Sequence, residues 1–234
     1  MLRSTMELYG KRLGAADGDI GLVKDFYFDD QQWVVRYVIA DTGSWLPGRL
    51  VLISPHAFGN FHEDGECLRV NLTRQQIESS PAIEAHKPVS RQREEEYNSY
   101  YGWPYYWVGG AFPMPYLMGG RKASSFDKPQ DSEDSHLRSA KVLTGYHIQT
   151  SDGTVGRVTN FIVDDASWAI CQLVVETGDW FSGEEIAISP DYIDYISSLE
   201  SKVFVNVTKE AILEAPKYEG PPLNTEYHEM QKLD

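Results

Sequence analysis

The chain has 234 residues, 41% of them apolar, with six Trp and a formal net charge of −14. That apolar content argues against wholesale disorder, and the negative field works against general nucleic-acid binding and against anionic membrane surfaces. Cys67 and Cys171 are too few and too far apart for a disulfide framework or a clustered zinc site, and read as ordinary thiols in a reducing compartment.

The N-terminal MLRSTMELYGKRL has no apolar h-region and runs directly into folded-looking sequence. No stretch approaches the roughly 18–20 apolar residues of a spanning helix. The expectation is a soluble, cytoplasmic protein with no membrane insertion. ADGDIG (16–21) places an Asp-Gly turn ahead of a strand. The strand LVKDFYF follows and meets a polar turn at Asp29-Asp30. WVVRYVIA is apolar in both phases, as expected of a strand covered on both sides. After Thr42-Gly43 comes a turn with Trp45 and Gly48, then the strand RLVLI. Ser54-Pro55 pairs an N-cap with a residue suited to a first helical position, which predicts a short turn. CLRVNL is the last strand, and Thr73 caps a short helix, RQQIESS, ending before Pro81.

Ser90 caps a second predicted helix, from about Arg91 to Tyr100. Tyr97 to Tyr116 then crowds nine aromatic residues among Gly and Pro. Each such ring can bury about 150–250 Å², so the segment should pack on the chain's own barrels or a twin subunit, or serve as a sticky arm for another protein. Recognition of a cation or ligand by an aromatic cage is a further option. Residues 121–139 are polar and predict a flexible linker.

From there the chain repeats itself. Sliding it by 135 positions aligns Gly10–Pro81 with Gly145–Pro216 without a gap, and 21 of the 72 positions are identical. Asp17-Gly18 falls on Asp152-Gly153, Gly21 on Gly156, Gly43 on Gly178, and Trp45 on Trp180. The predicted elements recur: SDGTVG, RVTNFIV, WAICQLVV, EEIAI, Ser189-Pro190, KVFVNV, and Thr208 as a cap. PPLNTEYHEMQKLD mirrors the second helix, with Asn224 in the place of Ser90. Evenly spaced short strands with Gly-bearing turns predict a small barrel or sandwich in each copy. The fold class expected is mainly β, two small barrels related by an internal repeat, each followed by short helical segments. Residues 1–96 form the first module, 97–138 the aromatic arm and polar linker, and 139–234 the second module. The second is the more acidic. Lys and Arg number 8 against 11 Asp and Glu over residues 1–81, but 4 against 12 over residues 139–216.

GDIGLVKDFYFDD, WVVRYVIADTG, WLPGRLVLISP and VNLTRQQIESSP, in that order and spacing, resemble the PRC-barrel family. The tail KPVSRQREEEYNSYYGWPYYW is similar to that of soluble bacterial members. The family includes the cytoplasmic domain of the photosynthetic reaction-centre H subunit and the C-terminal domain of a ribosome maturation factor. The resemblance implies the fold; members do unrelated things, so it does not imply a job.

No catalytic constellation stands out. The six His lack ligand spacing, no GxSxG elbow or P-loop occurs, and Asp17, Asp19, Asp25, Asp29 and Asp30 lack the calcium-loop pattern and read as turn residues. No catalytic, cofactor or metal site is expected. The candidate protein-interaction residues are Tyr101, Trp103, Tyr106 and Trp107 in the arm, with Trp45 and Trp180 as barrel lids or anchors. The function expected is a non-catalytic interaction or assembly module with a protein partner, and a homodimer is a further option. Two alternatives follow from the resemblance: a peripheral factor on a photosynthetic reaction-centre or other membrane electron-transfer complex, and a ribosome or RNA-processing accessory factor. Acidity weighs against the last, since only the first module could supply a basic face.

Overall fold

The computed structural model describes residues 1–46, 50–61, 67–81, 89, 91–107, 137–178 and 183–220. It is mainly β and contains two seven-stranded sheets. In chain order the first part carries β1 (Leu2–Ser4), α1 (Thr5–Leu8), β2 (Arg12–Ala15), β3 (Gly18–Asp29), β4 (Val34–Asp41), β5 (Leu50–Ile53), β6 (Phe58–Phe61), β7 (Cys67–Val70), α2 (Arg74–Glu78) and α3 (Arg91–Tyr101). The second part carries β8 (Leu137–Ser139), α4 (Ala140–Leu143), β9 (His147–Thr150), β10 (Gly153–Asp164), β11 (Ile170–Thr177), β12 (Glu185–Ile188), β13 (Ile193–Ser197), β14 (Lys202–Val205) and α5 (Lys209–Leu213).

One sheet runs β5-β4-β3-β2-β7-β6 and the other β12-β11-β10-β9-β14-β13. The orders correspond strand for strand. Neighbours are antiparallel except β2 with β7 and β9 with β14, which are parallel. Register agrees as well: Val23 lies opposite Ala40 and Val158 opposite Val175, while Ile53 faces Val38 and Ile188 faces Leu173. The equivalent residues Val23 and Val158, and Ile53 and Ile188, are all buried.

Local chemistry accounts for the ends. Ser54 and Ser189 each accept a bond from the backbone N–H two residues on, with Pro55 and Pro190 opening a 3-10 turn. Thr73 makes a full capping box with Gln76, and Thr208 caps α5. The turn aspartates have a second duty. Asp17 accepts from the Arg74 N–H at the start of α2, and Asp152 accepts from Lys209 at the start of α5. Gly21 is obligatory, since its φ is +150° and a Cβ there would lie 2.0 Å from the Asp41 carbonyl oxygen.

Three sequence expectations need correction. Trp33 and Trp168 do not begin their strands; both sit in the turn before, at φ of 55° and 59°. A non-glycine residue there costs about 1 kcal/mol, which burial of both indoles offsets. The linker ends earlier than residue 139, because Leu137–Ser139 is strand β8. A further strand, β6 or β13, follows each 3-10 turn where no strand was expected.

Candidate functional site

The two sheets do not merely touch. They exchange strands. β1, at the start of the chain, pairs antiparallel with β10, and β8 pairs antiparallel with β3. Arg3 reaches Asp165 and Arg138 reaches Asp30, each with Nε 2.8 Å from the carboxylate. Between these strands the turns also interlock. The Val35 N–H donates to the Trp168 carbonyl at 2.8 Å, and the Ile170 N–H donates to the Trp33 carbonyl at 2.7 Å. Phe28 packs on Phe161 with ring centroids 5.7 Å apart. One apolar cluster therefore runs through both sheets.

Beneath the exchanged strands lies a polar pair. A β-bulge in β3 follows Val23 and turns Asp25 toward α4; the matching bulge in β10 follows Val158 and turns Asn160 toward α1. Asn160 is fully buried; its amide donates to Ser4 Oγ at 2.7 Å, and its carbonyl accepts from Thr5 Oγ1 and from the Met6 and Phe161 N–H groups. Asp25 accepts from Ser139 Oγ, from the Lys141 N–H at 3.0 Å and from the Phe26 N–H at 2.7 Å. Burial raises its carboxyl above the ordinary range, and the Ser139 and backbone bonds pull only partly against that. The nearby Tyr9 hydroxyl is pushed up by burial and then by Asp25.

The described part of the aromatic arm, residues 97–107, folds onto its own chain, and the rest of the arm lies outside the described residues. Tyr97 is buried against Tyr37, Ile39 and Leu52, and its hydroxyl donates to the Leu52 carbonyl. Tyr101 and Trp103 stack at 4.2 Å and pack against this cluster, each half-buried. The Tyr106 hydroxyl donates to Glu94, a fully buried carboxylate, at 2.8 Å, and the Arg36 guanidinium lies 3.9 Å from the Tyr106 ring. Trp107 contacts Tyr105 and Tyr106. So the structure gathers Tyr101, Trp103, Tyr106 and Trp107 in one place, most of their surface turned inward. Trp45 is elsewhere, half-buried against the main core with Arg74 4.4 Å from its ring. Trp180, the linker before residue 137 and the helix expected after Asn224 lie outside the described residues.

A different aromatic surface escaped the sequence reading. On the outer face of β13 and β14, Tyr195 and Phe204 stand directly opposite one another and stack at 4.4 Å, with planes 10° apart. Leu199, at the tip of that hairpin, is 85% exposed, and Tyr192, at its opposite end, is exposed too. Lys202, paired with Glu200 at 3.3 Å, has its Nζ 5.9 Å from the Phe204 ring. The signal was available in the repeat: the first copy has Asn60, Arg69 and Asp64 where the second has Tyr195, Phe204 and Leu199.

A cleft of about 580 Å³ opens near the exchanged strands, lined among others by Met6, Tyr9, Leu22, Lys24, Asp41 and Lys141. Among the described residues no group of three or more His, Cys, Asp or Glu could hold a metal ion, and no helix is long and apolar enough to cross a membrane. No protein-family model matches the chain, and no curated protein is significantly similar to it.

Proposed function

We propose that the chain is a duplicated module, two PRC-type β-barrels joined about an approximate two-fold relation, and that it works as a non-catalytic interaction or assembly module. Support for the duplication comes from the common strand order and from the reciprocal bonds of Arg3 with Asp165 and Arg138 with Asp30. The observation that carries the interaction reading is the stacked Tyr195–Phe204 pair on β13 and β14, in which Tyr195 is exposed and Phe204 is half-buried. An aromatic ring held in solvent by stacking on a neighbour is a typical anchor for a protein partner. The first copy has polar residues there, so packing of the shared fold does not demand them.

The test is affinity capture from the native cell with three baits: the natural chain, Tyr195→Ser with Phe204→Ser, and Trp103→Ala with Trp107→Ala. The hairpin variant should lose a partner that the arm variant retains, with both variants still folded. Loss in the arm variant alone would move the site to the arm. A partner kept by all three would refute the reading.

A further inference from the structure

We infer that the cleft beside the exchanged strands is a binding site for a small amphipathic monoanion, a carboxylate or comparable headgroup on a compact apolar body. Its volume of about 580 Å³ falls within the range of small-molecule sites, about 300–1,000 Å³. Met6, Tyr9, Leu22 and Val23 give it an apolar wall, and Thr42, Ser44 and Thr144 add hydroxyls. Leu22 is 46% exposed although it sits within a strand, which leaves an apolar side chain facing the opening without a protein partner to cover it.

The corresponding positions of the second copy carry a different set of side chains. Leu22 lies opposite Asp41 in the first sheet, and Arg157 lies opposite Glu176 in the second. Arg157 and Glu176 form an ion pair at 2.6 Å, so a paired arginine stands where the first copy has Leu22. In the first copy the arginine is exchanged for Leu22, and the cation moves two residues along to Lys24, where the second copy has Thr159. Lys24 holds Asp41 only at 3.5 Å, with both side chains about half exposed. Lys141 enters from α4, at the position matched by Met6 in α1. The charged lining is thus two lysines against one aspartate, a net positive pocket on a chain of charge −14. An anion with an apolar body complements it; a cation does not.

The test titrates octanoate into the full-length ¹⁵N-labelled chain and follows amide shifts. Saturable one-to-one shifts are expected at Gly10, Gly21, Thr42, Gly43 and Thr144, and octylammonium should bind about tenfold more weakly. Lys24→Glu with Lys141→Glu should weaken octanoate about tenfold. Leu22→Ser, which leaves both lysines and the net charge unchanged, should also weaken it by removing the apolar wall. Both changes are at exposed side chains, and an unchanged amide spectrum elsewhere verifies the fold. Shifts that do not saturate, shifts centred outside the cleft, equal binding of octylammonium, or affinity unchanged in the lysine variant would each overturn the assignment.

Discussion

Asp25→Asn is expected to stabilise the chain at neutral pH, which is unusual for a buried, hydrogen-bonded carboxylate. The second sheet shows the outcome in advance, because Asn160 occupies the matching bulge with its amide 2.7 Å from Ser4 Oγ and its carbonyl accepting from Met6 and Phe161. An asparagine at 25 can keep the bonds from the Phe26 and Lys141 N–H groups and donate to Ser139 Oγ, which would turn from donor to acceptor as Ser4 already has. What the change removes is the cost of holding a charge out of water. The raised carboxyl shows that burial outweighs three hydrogen bonds there. Solvent reaches part of the Asp25 side chain and screens some of that cost, so the gain is about 1 kcal/mol on the scale of a hydrogen-bonded polar group's burial, or about 2–4 °C in Tm for a chain of this size.

The pH dependence has a definite sign. A folded-state value above the ordinary 3.8 means the folded chain binds the proton more tightly than the unfolded one. The penalty is therefore full above the folded value and fades as pH falls through it toward 3.8. Thermal melts followed by circular dichroism, in neutral and in mildly acidic buffer, should show the variant's advantage at neutral pH and its disappearance in acid. Asn160→Asp should do the reverse, losing about 2 kcal/mol at neutral pH and recovering in acid. A Tm for Asp25→Asn below that of the natural chain at neutral pH, or a difference indifferent to pH, would refute the reasoning.

Arg138→Glu should cost about 1–2 kcal/mol in urea unfolding, since it breaks a partly buried pair and sets two acids together, and adding Asp30→Arg should recover about half. Gly21→Ala should prevent folding or cost more than about 3 kcal/mol, because its Cβ would collide with the Asp41 backbone; an amide spectrum like the natural one would contradict this. Tyr97→Phe should cost about 1 kcal/mol by orphaning the Leu52 carbonyl, and Tyr97→Ala about 3–5 kcal/mol by emptying the space under the arm, both read from denaturant midpoints. Cleavage at a protease site placed near residue 128 should leave two fragments that co-elute on gel filtration, since β1 and β8 remain paired across them; fragments that separate while folded would disprove the exchange.

Much of the fold was legible in the letters because its causes are local. Asp-Gly turns, Ser-Pro and Thr caps and the apolar runs are settled within a few residues, and they appear at Asp17, Ser54, Thr73 and in β3 and β4 as read. The 135-residue offset pointed to strands with matching bounds, Gly18–Asp29 and Gly153–Asp164 among them. The same offset also pairs Leu2-Arg3-Ser4 with Leu137-Arg138-Ser139, a match that went unread because three residues are too short to show a period. The aromatic arm announced its need for burial but not its host.

Sequence alone thus determined where the longer strands and their turns form, and that large rings must find cover. Only the tertiary structure decided that a three-residue strand crosses to a sheet 160 residues away, with Leu2 against Asp164. It also decided that Asp25 faces Ser139 instead of solvent, that Tyr97 settles over Leu52, and that Leu22 is left open to a cleft. Those outcomes depend on which surfaces remain unsatisfied once each sheet has formed, a property of the assembled chain that no short window of residues contains.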